Sequence, residues 1–225
     1  MKIIHKDEWL LAVDKPAGLP TLPTPEGQEE TLAAKIAQQF PKQKEIPDCG
    51  IVHRLDNDTS GIVLIAKSTE VYQKLRDMWN TDAVKKTYLA LLQCAWTGKT
   101  VKYVDAPLSK QVLVSGERVV RVDLEGKPAK TRFILVKNYK SCCLMEASPQ
   151  TGRTHQIRVH SASLGHPIIG DAKYNLHPIS LDPHLPQRLY LHAKSISFTH
   201  SQQMLTFTAP LDAFFQQALD QLDNI

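Results

Sequence analysis

His53-Arg54-Leu55-Asp56-Asn57-Asp58-Thr59-Ser60-Gly61-Ile62-Val63-Leu64-Ile65-Ala66-Lys67 sets a charged, polar stretch directly before a branched apolar run. Residues 62–65 have the length and branching of a buried strand, which places the residues before them on a loop at the rim of a sheet. Loops held by a rigid sheet are frequent sites of chemistry. In an extended loop Arg54, Asp56 and Asp58 share a face, and an arginine beside Asp56 favours the ionised carboxylate that a nucleophile requires. Asn57-Asp58-Thr59-Ser60-Gly61 is also a run of ordinary turn residues, which would make it only the turn before a strand.

Working outward, short strands are expected over 10–14, 62–66, 86–92, 118–122, 130–137, 142–147, 194–199 and 203–208. Helices are expected over 31–39, 69–80, 152–164 and 211–222. Thr69 is a candidate cap for the second, where Val71, Leu75 and Met78 or Trp79 form a stripe. In the third, Ile157, Ser161 and Leu164 trace one face and Gly165 is placed as its stop. Several strands follow one another through turns rather than crossover helices. The expected class is therefore α+β, a central mixed, mostly antiparallel sheet flanked by helices and loops.

The 225 residues are enough for a substantial core, and no linker, repeat or low-complexity stretch divides them, so a single domain over 1–225 is expected. Cys49, Cys94, Cys142 and Cys143 form neither a CxxC nor a zinc spacing, so free buried thiols are expected. With no signal-like leader and no apolar run near 18 residues, the expected home is the cytoplasm, with no membrane association. The net charge of +4 is unevenly spread: residues 1–50 carry six Lys/Arg and eight Asp/Glu, whereas residues 110–173 carry eleven and five. Arg118, Arg121, Lys127, Lys130, Arg132, Lys137 and Lys140 in that basic half suit phosphates, or else a solvated strand face protected by lysine.

The motif over 53–67 closely resembles the catalytic motif of RNA pseudouridine synthases of the RluA group. Leu11-Ala12-Val13-Asp14-Lys15-Pro16-Ala17-Gly18-Leu19 resembles that family's opening strand and turn, and Lys85-Lys86-Thr87-Tyr88-Leu89-Ala90 its second motif. Thr151-Gly152-Arg153-Thr154-His155-Gln156-Ile157-Arg158-Val159-His160 resembles the third, followed by Gly165-His166-Pro167-Ile168-Ile169-Gly170-Asp171, Leu191-His192-Ala193 and Ala209-Pro210. The resemblance spans nearly the whole chain in order. It begins within the first dozen residues, so no preceding S4-type RNA-binding domain is expected. It implies an isomerase with Asp56 as catalytic nucleophile, Arg153 as its charge partner and Tyr88 stacking on the target base. By the same resemblance Ile157 packs near the acid and Arg54 fills the gap left by the extruded base. The implied partner is structured RNA, an rRNA or tRNA stem-loop, met by a monomer without cofactor or metal.

Other readings compete at each position. An arginine at 153 is by itself a helix-end or phosphate-binding residue, and if the helix began at 152 its backbone amides would also favour an anion there. An aromatic in a strand, as Tyr88 is, is usually core, and Trp9, Trp79 and Trp96 are expected there. His53, His155 and His160 read as hydrogen-bonded structural histidines, since a five-residue spacing is not a metal-binding pair on a helix. Asp56-Asn57-Asp58 is also a DxD triplet of the kind that holds a divalent cation in glycosyltransferases, and a non-catalytic RNA-binding protein is the third class. A proline-containing loop over 180–186 is a candidate for shaping the substrate.

Overall fold

A computed structural model describes residues 1–23, 30–114, 116–178 and 187–223. In chain order the elements are β1 (Lys2–Lys6), β2 (Leu10–Lys15), α1 (Leu32–Gln39), two 3-10 turns (Pro41–Glu45 and Pro47–Gly50), β3 (Ser60–Ala66) and α2 (Thr69–Trp79). There follow β4 (Lys85–Gln93), β5 (Val101–Asp105), β6 (Leu108–Val112), β7 (Arg118–Val122), β8 (Lys130–Asn138) and β9 (Cys142–Pro149). The remainder is α3 (Gln156–Ser163), β10 (Leu191–His200), β11 (Gln203–Thr208) and α4 (Ala213–Asp223). The chain divides into two compact units, one of Met1–Lys86 with His192–Asp212, the other of Thr87–Leu191 with the residues from Ala213 onward. Neither is a continuous segment, which is why no linker shows in the sequence.

In the first unit the strands run β1-β2-β3-β10, with β11 on β10; only the β3–β10 pair is parallel. β3 lies between two strands and is buried at every position, so its apolar run is continuous rather than alternating. Thr31 caps α1 by accepting from the Ala34 amide at 3.1 Å. The cap of α2 is Ser68, whose hydroxyl accepts from Val71, so Thr69 is the first helical residue rather than the cap. Of its expected stripe only Leu75 is fully buried. Ser201 and Gln202, both with positive φ, make the two-residue turn joining β10 to β11. Two left-handed residues in succession match the twist of a tight hairpin.

The second unit is wholly antiparallel, in the order β4-β9-β8-β5, with a separate β6–β7 hairpin. The mixed, mostly antiparallel α+β class is as expected. β1, β5 and β6 were not expected, because each buries at most one residue fully and carries little apolar signal. Ala90, Leu92, Phe133, Met145, Ala147 and Ile157 lie in the core. α3 begins at Gln156, four residues later than expected, and residues 156–161 are all buried, so it has no one-sided stripe. It ends as expected: Gly165, at φ +79°, donates to Ala162 O and His166 to Ser161 O, closing the last turn. Trp96 is buried, whereas Trp9 and Trp79 are half-buried and stack on His200 and His53.

The cysteines are free, but only Cys142 and Cys143 are buried as expected, which pushes their thiols up to about 11 and about 12; Cys49 is half-buried, and Cys94, just past the end of β4, is exposed. Among the described residues no helix is long and apolar enough to cross a membrane. The loop expected at 180–186 lies outside the described residues.

Candidate active site

Asp56 sits half-buried on the turn that leads into β3, and a buried lysine holds that turn. Lys15, 0% exposed at the end of β2, donates from Nζ to Pro16 O (3.0 Å), Leu19 O (2.7 Å) and Asn57 O (2.9 Å). Gly18, at φ +81°, donates its amide to the same Asn57 carbonyl at 2.9 Å. One residue before the acid, Leu55 is tied twice to Thr21, its amide donating to Oγ1 (3.2 Å) and its carbonyl accepting from it (2.9 Å). Thr59 N donates to Asp56 O at 3.1 Å and closes a turn over Asn57 and Asp58. Before that turn exposed Arg54, buried Leu55 and half-buried Asp56 alternate. Asp58 falls within the turn, so the triplet is not the extended loop on which the like-facing reading rested.

His53 pins the start of this loop. Its Nε2 accepts from Leu64 N at 3.1 Å, and its ring stacks on Trp79 at 4.4 Å and 9°. Burial, helped by the Lys86 charge, pushes the imidazole down to about 3. A neutral ring with Nε2 free to accept is what the Leu64 bond requires, so His53 is structural, as expected.

The remaining candidates lie in the second unit. Tyr88 on β4 faces Ala147 across the ladder and packs, half-buried, against the core cluster that includes Ile157. Those two expected site residues thus belong to the same packed cluster. Arg153 is exposed, and it lies before α3 in a loop, contrary to the expected helix start; its Nε donates to Pro128 O at 3.0 Å. The first helical residue, Gln156, shapes that loop: Oε1 accepts from Thr151 Oγ1 (2.7 Å) and Arg153 N (3.0 Å), while Nε2 donates to Lys130 O (2.9 Å) and Thr131 Oγ1 (3.0 Å). His155, the left-handed residue before the helix, provides no side-chain cap; its Nδ1 is hydrogen-bonded to Tyr174 OH at 2.6 Å. His160 is buried, donating from Nε2 to Ala106 O (3.0 Å) and accepting at Nδ1 from Thr131 (2.8 Å), and burial lowers its proton affinity.

Sequence reasoning did not single out Lys15, Gln156 or the buried Arg158–Asp171 pair, bidentate at 2.8 Å on both arms. For Lys15 a signal was present, an isolated lysine closing an apolar strand just before a Pro-Ala-Gly turn. Gln156 and Arg158 carry none, because helix polar residues usually face solvent. In the basic stretch Arg118, Arg121 and Lys127 are exposed, whereas Lys130 pairs with Asp105 and Lys137 with Asp223.

Residues 9–163 match the family described as RNA pseudouridylate synthase. The ribosomal large subunit pseudouridine synthase C of Escherichia coli (strain K12) is 37% identical, over 99% of this chain and 70% of that protein. That of Pasteurella multocida (strain Pm70) is 40% identical, over 98% and 68%. Among solved structures, human RNA Pseudouridylate Synthase Domain Containing 4 superposes with a TM-score of 0.78 at 25% identity, covering 99% of this chain and 93% of that one. The chain belongs to the RNA pseudouridylate synthase family. Its activity is accordingly that of an RNA pseudouridine synthase, an isomerase.

Proposed function

We propose that this chain, acting as one catalytic domain, converts specific uridines in structured RNA to pseudouridine with Asp56 as the catalytic carboxylate. The observation that carries the reading is the turn around Asp56: its residues match the family's catalytic motif, and a buried lysine fastens it to the sheet. The reaction breaks the N1–C1′ bond, turns the uracil and joins C5 to C1′; C5 loses a proton and N1 gains one. Bond breaking develops positive charge on the sugar, which an ionised carboxylate at C1′ stabilises. Arg153 is assigned to hold that carboxylate charged, since a guanidinium near an acid favours its ionised form. Tyr88 stacks on the extruded base and Ile157 packs beside the site; Arg54 fills the space the base leaves. No cofactor enters these steps. Exposed Arg118, Arg121 and Lys127 are suited to the RNA backbone.

The relatives are named for large-subunit ribosomal RNA, which makes rRNA the first substrate to try and tRNA the second. A monomer working in the cytoplasm fits this reading. Purified wild-type protein and Asp56→Asn, given total rRNA and tRNA and mapped by carbodiimide-stop sequencing, test it. Pseudouridine at a defined uridine, lowered about 10³-fold or more in the variant, is the expected result. Product formation by Asp56→Asn at the wild-type rate removes the catalytic assignment. RNA binding without product from either protein favours the non-catalytic RNA-binding reading.

A further inference from the structure

The Asp56 turn enters β3 through Ser60, where chain segments remote in sequence meet. The buried Ser60 hydroxyl donates to Asp212 Oδ2 at 3.1 Å and lies 2.9 Å from His192 Nδ1. On the far side of that imidazole, which is 0% exposed, Nε2 lies 3.3 Å from Ala209 O. Ser60 and His192 face each other in the parallel β3–β10 pair. Beside them a Cβ on Gly61 would fall 2.2 Å from Ala193 O, so the strands approach too closely there for any side chain at 61.

The hydrogens of these three contacts point to a charged cluster. A hydroxyl has one hydrogen; given to the carboxylate, it leaves Ser60 Oγ to accept, so His192 Nδ1 carries a hydrogen. Ala209 O can only accept, so Nε2 carries one too. An imidazole protonated at both nitrogens is a cation. Without that proton, one of the three contacts has no hydrogen in it. Placing the proton on Asp212 would satisfy the same contacts, but an imidazole is the stronger base in water, and the adjacent carboxylate opposes the loss of proton affinity that burial brings. Asp14 on β2 lies within electrostatic reach of the same carboxylate. Asp14 is held above the usual carboxylate range, by burial first and by the Asp212 charge second, against Lys2, the chain N-terminus and Lys15.

We propose that Ser60, His192 and Asp212 are positioning residues for Asp56, a proton-loaded clasp in which cationic His192 and anionic Asp212 meet through the Ser60 hydroxyl. The proposal rests on the reading of Asp56 as the catalytic carboxylate. Lys15 grips the turn at Asn57 and the clasp grips it at Ser60, so a shift at either grip moves the acid. A reacting group misplaced by about 1 Å costs on the order of 10²-fold in rate.

Two measurements test the clasp. In uniformly ¹⁵N-labelled wild-type protein at pH 7, both ring nitrogens of His192 are expected in the protonated range, and Asp212→Asn is expected to move one of them out of it. An unprotonated ring nitrogen in the wild type overturns the proton-loaded clasp, and this readout needs no variant to fold. Ser60→Ala is then compared with wild type on the RNA in which wild-type protein forms pseudouridine. kcat is expected to fall about 10- to 100-fold with KM within about twofold. An unchanged kcat with a lowered melting temperature makes Ser60 structural only and overturns the positioning role. Asp56→Asn is assayed in parallel: full activity there overturns the reading of Asp56, while the ring-nitrogen result still judges the clasp by itself.

Discussion

The turn carrying Asp56 and the loop carrying Arg153 are built in opposite ways. The Asp56 turn is gripped by side chains from residues 15, 21 and 60, among them a lysine with no exposure. The Arg153 loop is shaped by its own neighbours Thr151 and Gln156, resting on β8 backbone, and the arginine itself is exposed with its Nε on a carbonyl. The first arrangement is costly to disturb, because a displaced buried group finds no water to replace its partners. The second leaves a guanidinium that can exchange one exposed hydrogen bond for another at little cost. An acid set in place before substrate arrives, and a cation free to adjust, is the difference these two regions display.

Removing the buried lysine should have the largest effect. Lys15→Met takes the ammonium donor away from the carbonyls of Pro16 and Leu19 and leaves that of Asn57 with the Gly18 amide alone, and is expected to cost about 3 kcal/mol, read from urea unfolding. If it costs no more than a surface substitution, the contrast between the two regions disappears.

Gln156→Ala removes a buried carboxamide with four hydrogen bonds and is expected to cost about 2 kcal/mol by the same measurement.

Acid should weaken the first unit through His53. The unfolded imidazole binds a proton near pH 6.5, roughly its ordinary value, while the folded one resists until about 3. The stability it contributes is therefore complete above about pH 6.5 and is lost as pH falls towards 3. The urea midpoint should drop between pH 7 and pH 5, and His53→Asn should flatten that drop; identical profiles would place the acid sensitivity elsewhere.

Arg153→Ala should have the smallest effect on stability, within about 0.5 kcal/mol, while isomerisation slows markedly. A large loss of stability would show that Arg153 is a structural residue and that the two regions are less different than they look.

Much of this was legible in the chain itself. The 62–66 run identified β3, the ordered motifs identified the family, and Gly165 identified the end of α3, because each depends on local backbone and side-chain chemistry. The start of α3 was misplaced, because residues 151–155 are as compatible with a helix as with the loop that Gln156 imposes. The Ser68 cap was misread by one residue, since Ser and Thr are both good caps and stand side by side. β1, β5 and β6 escaped notice because strands with at most one fully buried residue carry almost no periodic signal.

By itself, then, the sequence determined the α+β class, the family and the identity of the candidate acid, all of which rest on residues adjacent in the chain. Only the tertiary structure decided what holds that acid: Lys15 reaching Asn57, Thr21 tied to Leu55, and Ser60 joined to His192 and Asp212. The physical reason is that a hydrogen bond depends on distance and direction in space, and residues 60, 192 and 212 acquire both only when β3 and β10 pair.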